Sequence, residues 1–296
     1  MKKKWQEKQI EMKFITKHKR KIIILAVGAA IVFALDWWGF SMKPVYYTVS
    51  SDKEGEPIRV VFISDLNNSF YGGHDQSGLW KTIESANPDI VLFGGDVIDS
   101  RAKGKKNAYT LMKLVADKYP CAYATGNHEQ RRSDKEEFFS KVEEIGVPVL
   151  NGRYTDFMIK NRRVRVFGII GANIFDENGS QLKNCYSAAS PDTYNILLAH
   201  EPQEFFDITS ERSKYNGNGF DLILSGHAHG GQWRIPGILD QGLYAPDQWL
   251  FPDFTTGQRT DEGTTQIVSR GLARNLNMIT IPRIFNRPEL SIIDIE

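Results

Sequence analysis

Five short apolar runs in this chain end in residues able to bind metal, and no other feature constrains the fold as much. Ile58–Ser64 leads into Asp65, "DIVLFGGD" ends in Asp96, "CAYATGN" in Asn127, "YNILLAH" in His200, and "DLILSGH" in His227, two residues before His229. Short continuous apolar runs rich in Val, Ile and Leu read as strands buried on both faces. Helical stretches are expected between them, near 78–85 and 109–117, and Ser133 with Glu136 signals a capping box that opens a further helix to about residue 145. This alternation predicts an α/β domain, and such sheets hold ligands in a crevice beyond their strand C-termini. One crevice could then collect all of these polar ends. Around this framework the sequence predicts an edge strand over 45–49, a hairpin of 154–160 and 164–169 turning at Asn161-Arg162, and closing β segments at 266–269 and 290–295.

Carboxylate, amide oxygen and imidazole together suit Mn²⁺, Fe or Zn²⁺ better than Mg²⁺ or Ca²⁺. So many ligands allow two ions bridged by a shared carboxylate. Each piece taken singly has an ordinary explanation. Gly95-Asp96 is a common turn pair, Asn127 in "GNHE" could cap a helix, and His200 could be a hydrogen-bonded strand-end histidine. "GHAHGG", residues 226–231, resists this treatment, because two histidines among glycines have no packing purpose. Of six histidines in the chain, four (His128, His200, His227 and His229) fall at these strand ends.

The order D-x-N, GGD, GNHE, H, GHAH resembles the calcineurin-like metallophosphoesterases, whose pattern is D-x-H, GD, GNH[DE], H and GHxH. The likeness spans roughly residues 56–296 and extends to "GGQWRIPG", "VSRGL" and "RIFNRPEL", which are similar to a membrane-associated bacterial branch of that superfamily. The resemblance implies a four-layer α/β/β/α sandwich. It implies one divalent ion held by Asp65, Asp96 and His229, with Asn67 where the family has histidine. A second ion would be held by Asp96, Asn127, His200 and His227. It further implies hydrolysis of a phosphoester, phosphodiester or pyrophosphate bond by metal-activated hydroxide, with His128 stabilising the transition state or protonating the leaving oxygen. Asn67 is the departure, since an amide oxygen is a weaker donor than imidazole to Fe or Zn²⁺. A catalytically weak protein that binds metal and phosphate is therefore the alternative. His74, in the same loop, is a candidate substitute ligand, and Arg234 a candidate phosphate contact.

Residues 1–21 hold nine Lys/Arg against two Glu, a net of +7, so the formal +1 of the 296-residue chain leaves −6 for residues 22–296. A mildly acidic body argues against nucleic acid as a partner. The apolar run 22–35, "IIILAVGAAIVFAL", continues to residue 40 with Asp36 as its one charge. Flanking Lys and Arg on one side and Trp37-Trp38 on the other suit a single membrane anchor over 22–40. A cleaved signal peptide is the rival, but no convincing small-x-small site follows Leu35, and the basic leader is long for a signal peptide. Basic residues before the anchor place 1–21 in the cytoplasm and the catalytic domain outside it. The expected organisation is a leader (1–21), an anchor (22–40), a linker with a possible edge strand (41–57) and a metallophosphoesterase domain (58–296). The domain is expected to be a monomer acting on a phosphorylated small-molecule or lipid-linked substrate beside the bilayer. Cys121 and Cys185 are too few for a disulfide framework and lack metal-ligand spacing.

Overall fold

Val60 and Phe62 face one side of their strand and Val61 and Ile63 the other, and all four are buried. A strand apolar on both faces needs a covering layer on each side. The computed structural model describes residues 5, 18, 19, 21–28, 30, 41–170, 180–215, 219–274 and 283–296. Its strands are β1 (Lys43–Val49), β2 (Ile58–Ile63), β3 (Ile90–Gly94), β4 (Cys121–Ala124), β5 (Arg153–Ile159), β6 (Arg162–Gly168), β7 (Tyr194–Leu198), β8 (Leu222–Ser225), β9 (Tyr244–Ala245), β10 (Trp249–Leu250), β11 (Gly257–Asp261), β12 (Thr264–Val268) and β13 (Glu289–Ile295). The helices of the domain are α1 (Ser77–Ala86), α2 (Lys106–Ala116), α3 (Asn127–Gln130), α4 (Lys135–Ile145), α5 (Ser180–Ala188) and α6 (Phe205–Ser210).

Two mixed sheets form, ordered β1-β13-β2-β3-β4 and β11-β12-β8-β7-β6-β5. Their inner faces meet through Val60, Phe62 and Leu92 on one side and Val166, Ile196 and Leu224 on the other. Helices α1, α2 and α4 cover the first sheet, setting Leu79, Ile83, Leu111, Phe138 and Val142 on Val61, Ile63 and Phe93. Helices α5 and α6 cover the second, setting Tyr186, Phe205 and Ile208 on Phe167, Leu197 and Ile223. This is the α/β/β/α layering that the resemblance implied. Cys121 lies in the first outer layer and Cys185 in the second, both buried as free thiols.

Within each sheet the strands that lead into the expected ligands are parallel, β2 with β3 and β3 with β4, then β7 with β8. Their C-terminal ends therefore come to one edge of each sheet.

Three local expectations are corrected. Helix α4 starts after Asp134 with no side-chain cap, so Ser133 and Glu136 do not open it as a capping box. Asp134 is instead held by Arg132 at 2.7 Å and Lys105 at 2.8 Å. The β5–β6 hairpin turns at Lys160-Asn161, whose φ values of 46° and 64° fit a two-residue type I′ turn. Arg162 is thus a strand residue, buried, with its guanidinium 5.7 Å from the Tyr194 ring centroid. The edge strand β1 begins two residues earlier than expected and runs parallel to β13. Of the expected anchor, residues 22–28 are helical and expose Ile22, Ile23, Ile24, Leu25 and Val27. Residues 29 and 31–40 lie outside the described residues. Among the described residues no helix is long and apolar enough to cross a membrane.

Candidate metal centre

Asp65 follows β2 and Asp96 follows β3, both in left-handed backbone conformation with φ of 51°. His227 (65°), His229 (48°) and Asn67 (50°) share that conformation, so five of the seven expected ligands sit where side chains rarely do. Such strain persists only where the surroundings enforce it, and it gathers at functional sites. Each bend turns a side chain from its strand's axis toward the crevice between the sheets. Close backbone approach completes the cradle. A Cβ at Gly126 would collide with the Asp96 carboxylate, and one at Gly271, whose φ is +70°, would lie 2.6 Å from Asp65 Oδ2.

Asp65 and Asp96 are buried, and among the described residues the ion pairs they make are with imidazoles. His200 Nε2 stands 3.1 Å from Asp96 Oδ2 and 3.8 Å from Asp65 Oδ1. His229 Nε2 stands 3.9 Å from Asp65 Oδ1. Backbone amides add weaker support: His128 N donates to Asp96 Oδ1 at 2.8 Å, and His227 N lies 3.1 Å from both oxygens of Asp65. Buried anions call for positive charge, and Arg283 adds a further attraction to Asp65. Burial opposes charge on His200, yet the Asp96 and Asp65 carboxylates outweigh it and lift its imidazole to about 10. Burial also opposes charge on Asp96, but His200, His128 and His227 hold its carboxyl below the usual range. Burial keeps His229 neutral, pressing it down to about 4 against the pull of Asp65.

The donor set fits a divalent cation. Ligand atoms of Asp96, His200 and His227 all lie within 4.8 Å of one another. His200 Nδ1 donates to Gly94 O at 2.7 Å, which leaves Nε2 as the atom facing the carboxylates, and Nε2 makes no aligned hydrogen bond. His227 Nε2 binds Asp247 Oδ2 at 2.7 Å, leaving Nδ1 inward. A carboxylate or carbonyl on the far nitrogen is how metal-binding histidines are oriented. One end of the Asn127 amide lies 3.1 Å from Asp96 Oδ2 and 3.3 Å from His227 Nδ1, while its other end faces Arg131. With acceptors alone beside it the nitrogen turns inward; a cation there would draw the oxygen inward instead. Asn67 Oδ1 is buried and has no hydrogen-bond partner among the described residues, while Asn67 N donates to Asp96 O at 2.9 Å.

The set expected for the second ion, Asp96, Asn127, His200 and His227, is thus closely assembled. That for the first is looser: His229 approaches Asp65 only to 3.9 Å. His128 lies at the rim. Ser100 N donates to its Nδ1 at 3.1 Å, which puts the neutral ring's proton on Nε2, 3.9 Å from Asp96 Oδ2. A bond from His128 to Asp65 is not found. His74 is exposed, bonded through Nδ1 to Asn107 Oδ1 at 2.7 Å and set against Phe70, away from the cluster. Arg234 is half-buried, pressed down to about 10 by burial and by Arg270.

Sequence reasoning missed several supports. Glu129 accepts from Gly126 N at 2.8 Å, Asp96 N at 2.9 Å and Ile98 N at 3.0 Å, tying the β3 and β4 loops together. Burial and Asp96 push it up to about 7. Asp99 Oδ2 lies 3.3 Å from His128 Nδ1, an ion pair only when the ring is protonated, and Arg283 donates to His229 Nδ1 at 3.3 Å. Asp99 was findable as the next carboxylate in "GGDVIDS". Asp247 and Arg283 carry no local motif and become visible only in three dimensions.

Comparison with known proteins agrees. The model of the calcineurin-like phosphoesterase family matches residues 58–231. A "transmembrane protein with metallophosphoesterase domain" of Bos taurus is 26% identical over 186 residues, 59% of this chain and 41% of its own length. A putative metallophosphoesterase of Caenorhabditis elegans is 28% identical, over 71% of this chain and 43% of its own length, so the chain spans about two fifths of each of these relatives. The uncharacterized protein YpbG of Bacillus subtilis is 26% identical over 72% of this chain and 78% of its own. Among solved structures, the NAD nucleotidase of Haemophilus influenzae shares the fold, with a TM-score of 0.50 at 15% identity over 74% of this chain and 46% of that one. With the family model covering more than half of its length, the chain belongs to the calcineurin-like phosphoesterase family.

Proposed function

We propose that this chain is a metal-dependent phosphoesterase held at a membrane, with its catalytic domain on the extracytoplasmic side. The observation that carries the hydrolytic reading is the buried convergence of Asp96, His200 and His227, whose ligand atoms lie within 4.8 Å of one another beside a second buried carboxylate, Asp65. Asp96, Asn127, His200 and His227 would hold one divalent ion, and Asp65, Asp96, His229 and Asn67 a second. Mn²⁺, Fe or Zn²⁺ suits these donors. Bound there, such ions lower the pKa of water and neutralise phosphate oxygens. The chain's own part is to orient and to move protons. Gly94 and Asp247 hold the His200 and His227 rings in place through their outer nitrogens. His128, steadied by the Ser100 amide, presents an Nε2 proton at the rim for the departing oxygen of a phosphoester, phosphodiester or pyrophosphate. The exposed apolar helix of residues 21–28 and the basic leader before it support the anchor, and the bovine relative's description as a transmembrane protein is in keeping with it.

Asn67 favours one alternative, a metal- and phosphate-binding protein with little turnover. Hydrolysis of an aryl phosphodiester separates the two. Chelation should abolish turnover and Mn²⁺ should restore it better than Mg²⁺. His128→Gln should cut kcat by roughly 10²–10⁴-fold while leaving metal content intact. Full metal loading without turnover would favour the binding protein, and chelator-resistant turnover would overturn both readings.

A further inference from the structure

The loop that follows the histidine pair carries an unusual surface. Ile238 is 78% exposed, Trp249 72%, Phe251 66% and Leu250 63%, and Trp233 and Ile235 are exposed beside them. The loop is one knit unit: Leu243 N donates to Trp233 O, Phe251 N donates to Leu243 O, and β9 pairs with β10. It is also bound to the metal centre, since Asp247, in the β9–β10 turn, reaches His227 Nε2 at 2.7 Å. Trp249 and Phe251 have φ of 58° and 57°. Bulky aromatic residues in that conformation are outliers, and here the strain turns large apolar side chains outward.

Topology says what lies opposite this surface. Strand β13 runs antiparallel to β2, with Ser291 opposite Phe62, so β13 begins at the end of the sheet where β2 delivers Asp65. Strand β1 runs parallel to β13, with Lys43 opposite Glu289, so the chain enters the domain at that same end. Arg287 bonds Ser41 O at 2.9 Å and Met42 O at 3.1 Å, and Lys43 N donates to Pro288 O at 2.8 Å. Only four residues earlier than Pro288, Ile284 bridges to Trp233 of the apolar loop. Four residues span at most about 14 Å. The apolar N-terminal run, the apolar loop and the mouth of the metal centre therefore share one end of the molecule.

We propose that this loop seats on the bilayer, so that the metal centre opens toward the plane of the lipid headgroups and takes a phosphate carried there. The inference rests on the membrane anchoring proposed above. Trp at an interface and the exposed apolar side chains of this loop match a lipid surface.

The full chain in vesicles of phosphatidylglycerol and phosphatidylcholine tests it. Leu250→Cys and Ile238→Cys supply two independent exposed sites for an environment-sensitive fluorophore, while Cys121 and Cys185 are buried and unreactive. Met158→Cys is the control, exposed near the end of β5 remote from the centre. The chain should float with the vesicles. Labels at residues 250 and 238 should emit to the blue, be quenched by acyl-brominated lipid, and lose most of the iodide quenching that the label at 158 retains. Flotation with iodide-accessible labels at 250 and 238 would overturn the docking while leaving the anchor standing. Protection from iodide without quenching by brominated lipid would mean that a second copy covers the loop, which also overturns it. A chain that does not float overturns anchor and docking together.

Discussion

Asn67 Oδ1 is buried and has no hydrogen-bond partner among the described residues, so in the proposed two-ion reading the first ion would meet an amide oxygen where the family pattern has an imidazole. Asn67→His should supply an imidazole there. Outer contacts alone alter metal affinity by roughly 10–100-fold, and a gain at the ion itself should be at least visible against that scale. Two ions per chain should bind at lower added Mn²⁺, with higher turnover at limiting metal; unchanged affinity and rate would mean that the amide already suffices. His200 gives a second residue-scale prediction. Its pKa is raised above 6.5 to about 10, so its charge supports the metal-free fold below pH 6.5, and that support is lost as pH climbs through about 10. A cation must displace this proton, so log affinity should rise by about one per pH unit across the neutral range. A flat profile from calorimetry between pH 6 and 9 would contradict that role. The strand-end Asp, Asn and His residues were legible in the sequence because their chemistry is rare at such positions. Asp247 and Arg283 were not, because what defines them is a partner distant in the chain.

Among elements, legibility followed the source of each boundary. Strands β2, β3, β7 and β8 were readable because burial on both faces leaves continuous apolar runs. The β5–β6 turn was placed one residue late, because Lys160-Asn161 has the backbone of a glycine-favouring turn without the glycine that would advertise it. The start of α4 was misread because Ser133 offered local capping chemistry, whereas tertiary ion pairs with Arg132 and Lys105 fix Asp134 there. Strand β2 couples fold and site most directly. Phe62 is fully buried between the sheets, three residues before Asp65, with its ring over Gly94. Phe62→Ala should cost about 3–5 kcal/mol, read as a lowered urea midpoint. A loss below about 1 kcal/mol would mean that the sheets close over the gap by repacking.

For the whole molecule, the layering was legible only through family resemblance. A strand buried on both faces fits a sheet between two helical layers as well as it fits two sheets face to face, so periodicity could not choose. The candidate metal centre depends on which of these arrangements forms. Asp65, Asn67, Asp96 and Asn127 hang from the first sheet, and His200, His227 and His229 from the second. Divalent ions would therefore bind across the interface of the two sheets and join them. They would also neutralise Asp65 and Asp96, whose ion pairs among the described residues are with imidazoles. Because the unfolded chain cannot assemble these ligands, binding adds directly to stability, by about 2.7 kcal/mol per site at a hundredfold excess over Kd. Thermal unfolding of the chelated protein should therefore occur at lower temperature, and Mn²⁺ should raise Tm in proportion to the logarithm of its concentration. His227→Ala removes a proposed ligand of the closely assembled site and should remove most of that rise. A Tm indifferent to Mn²⁺ in the wild type would show that the imidazoles, and no cation, hold the two sheets together.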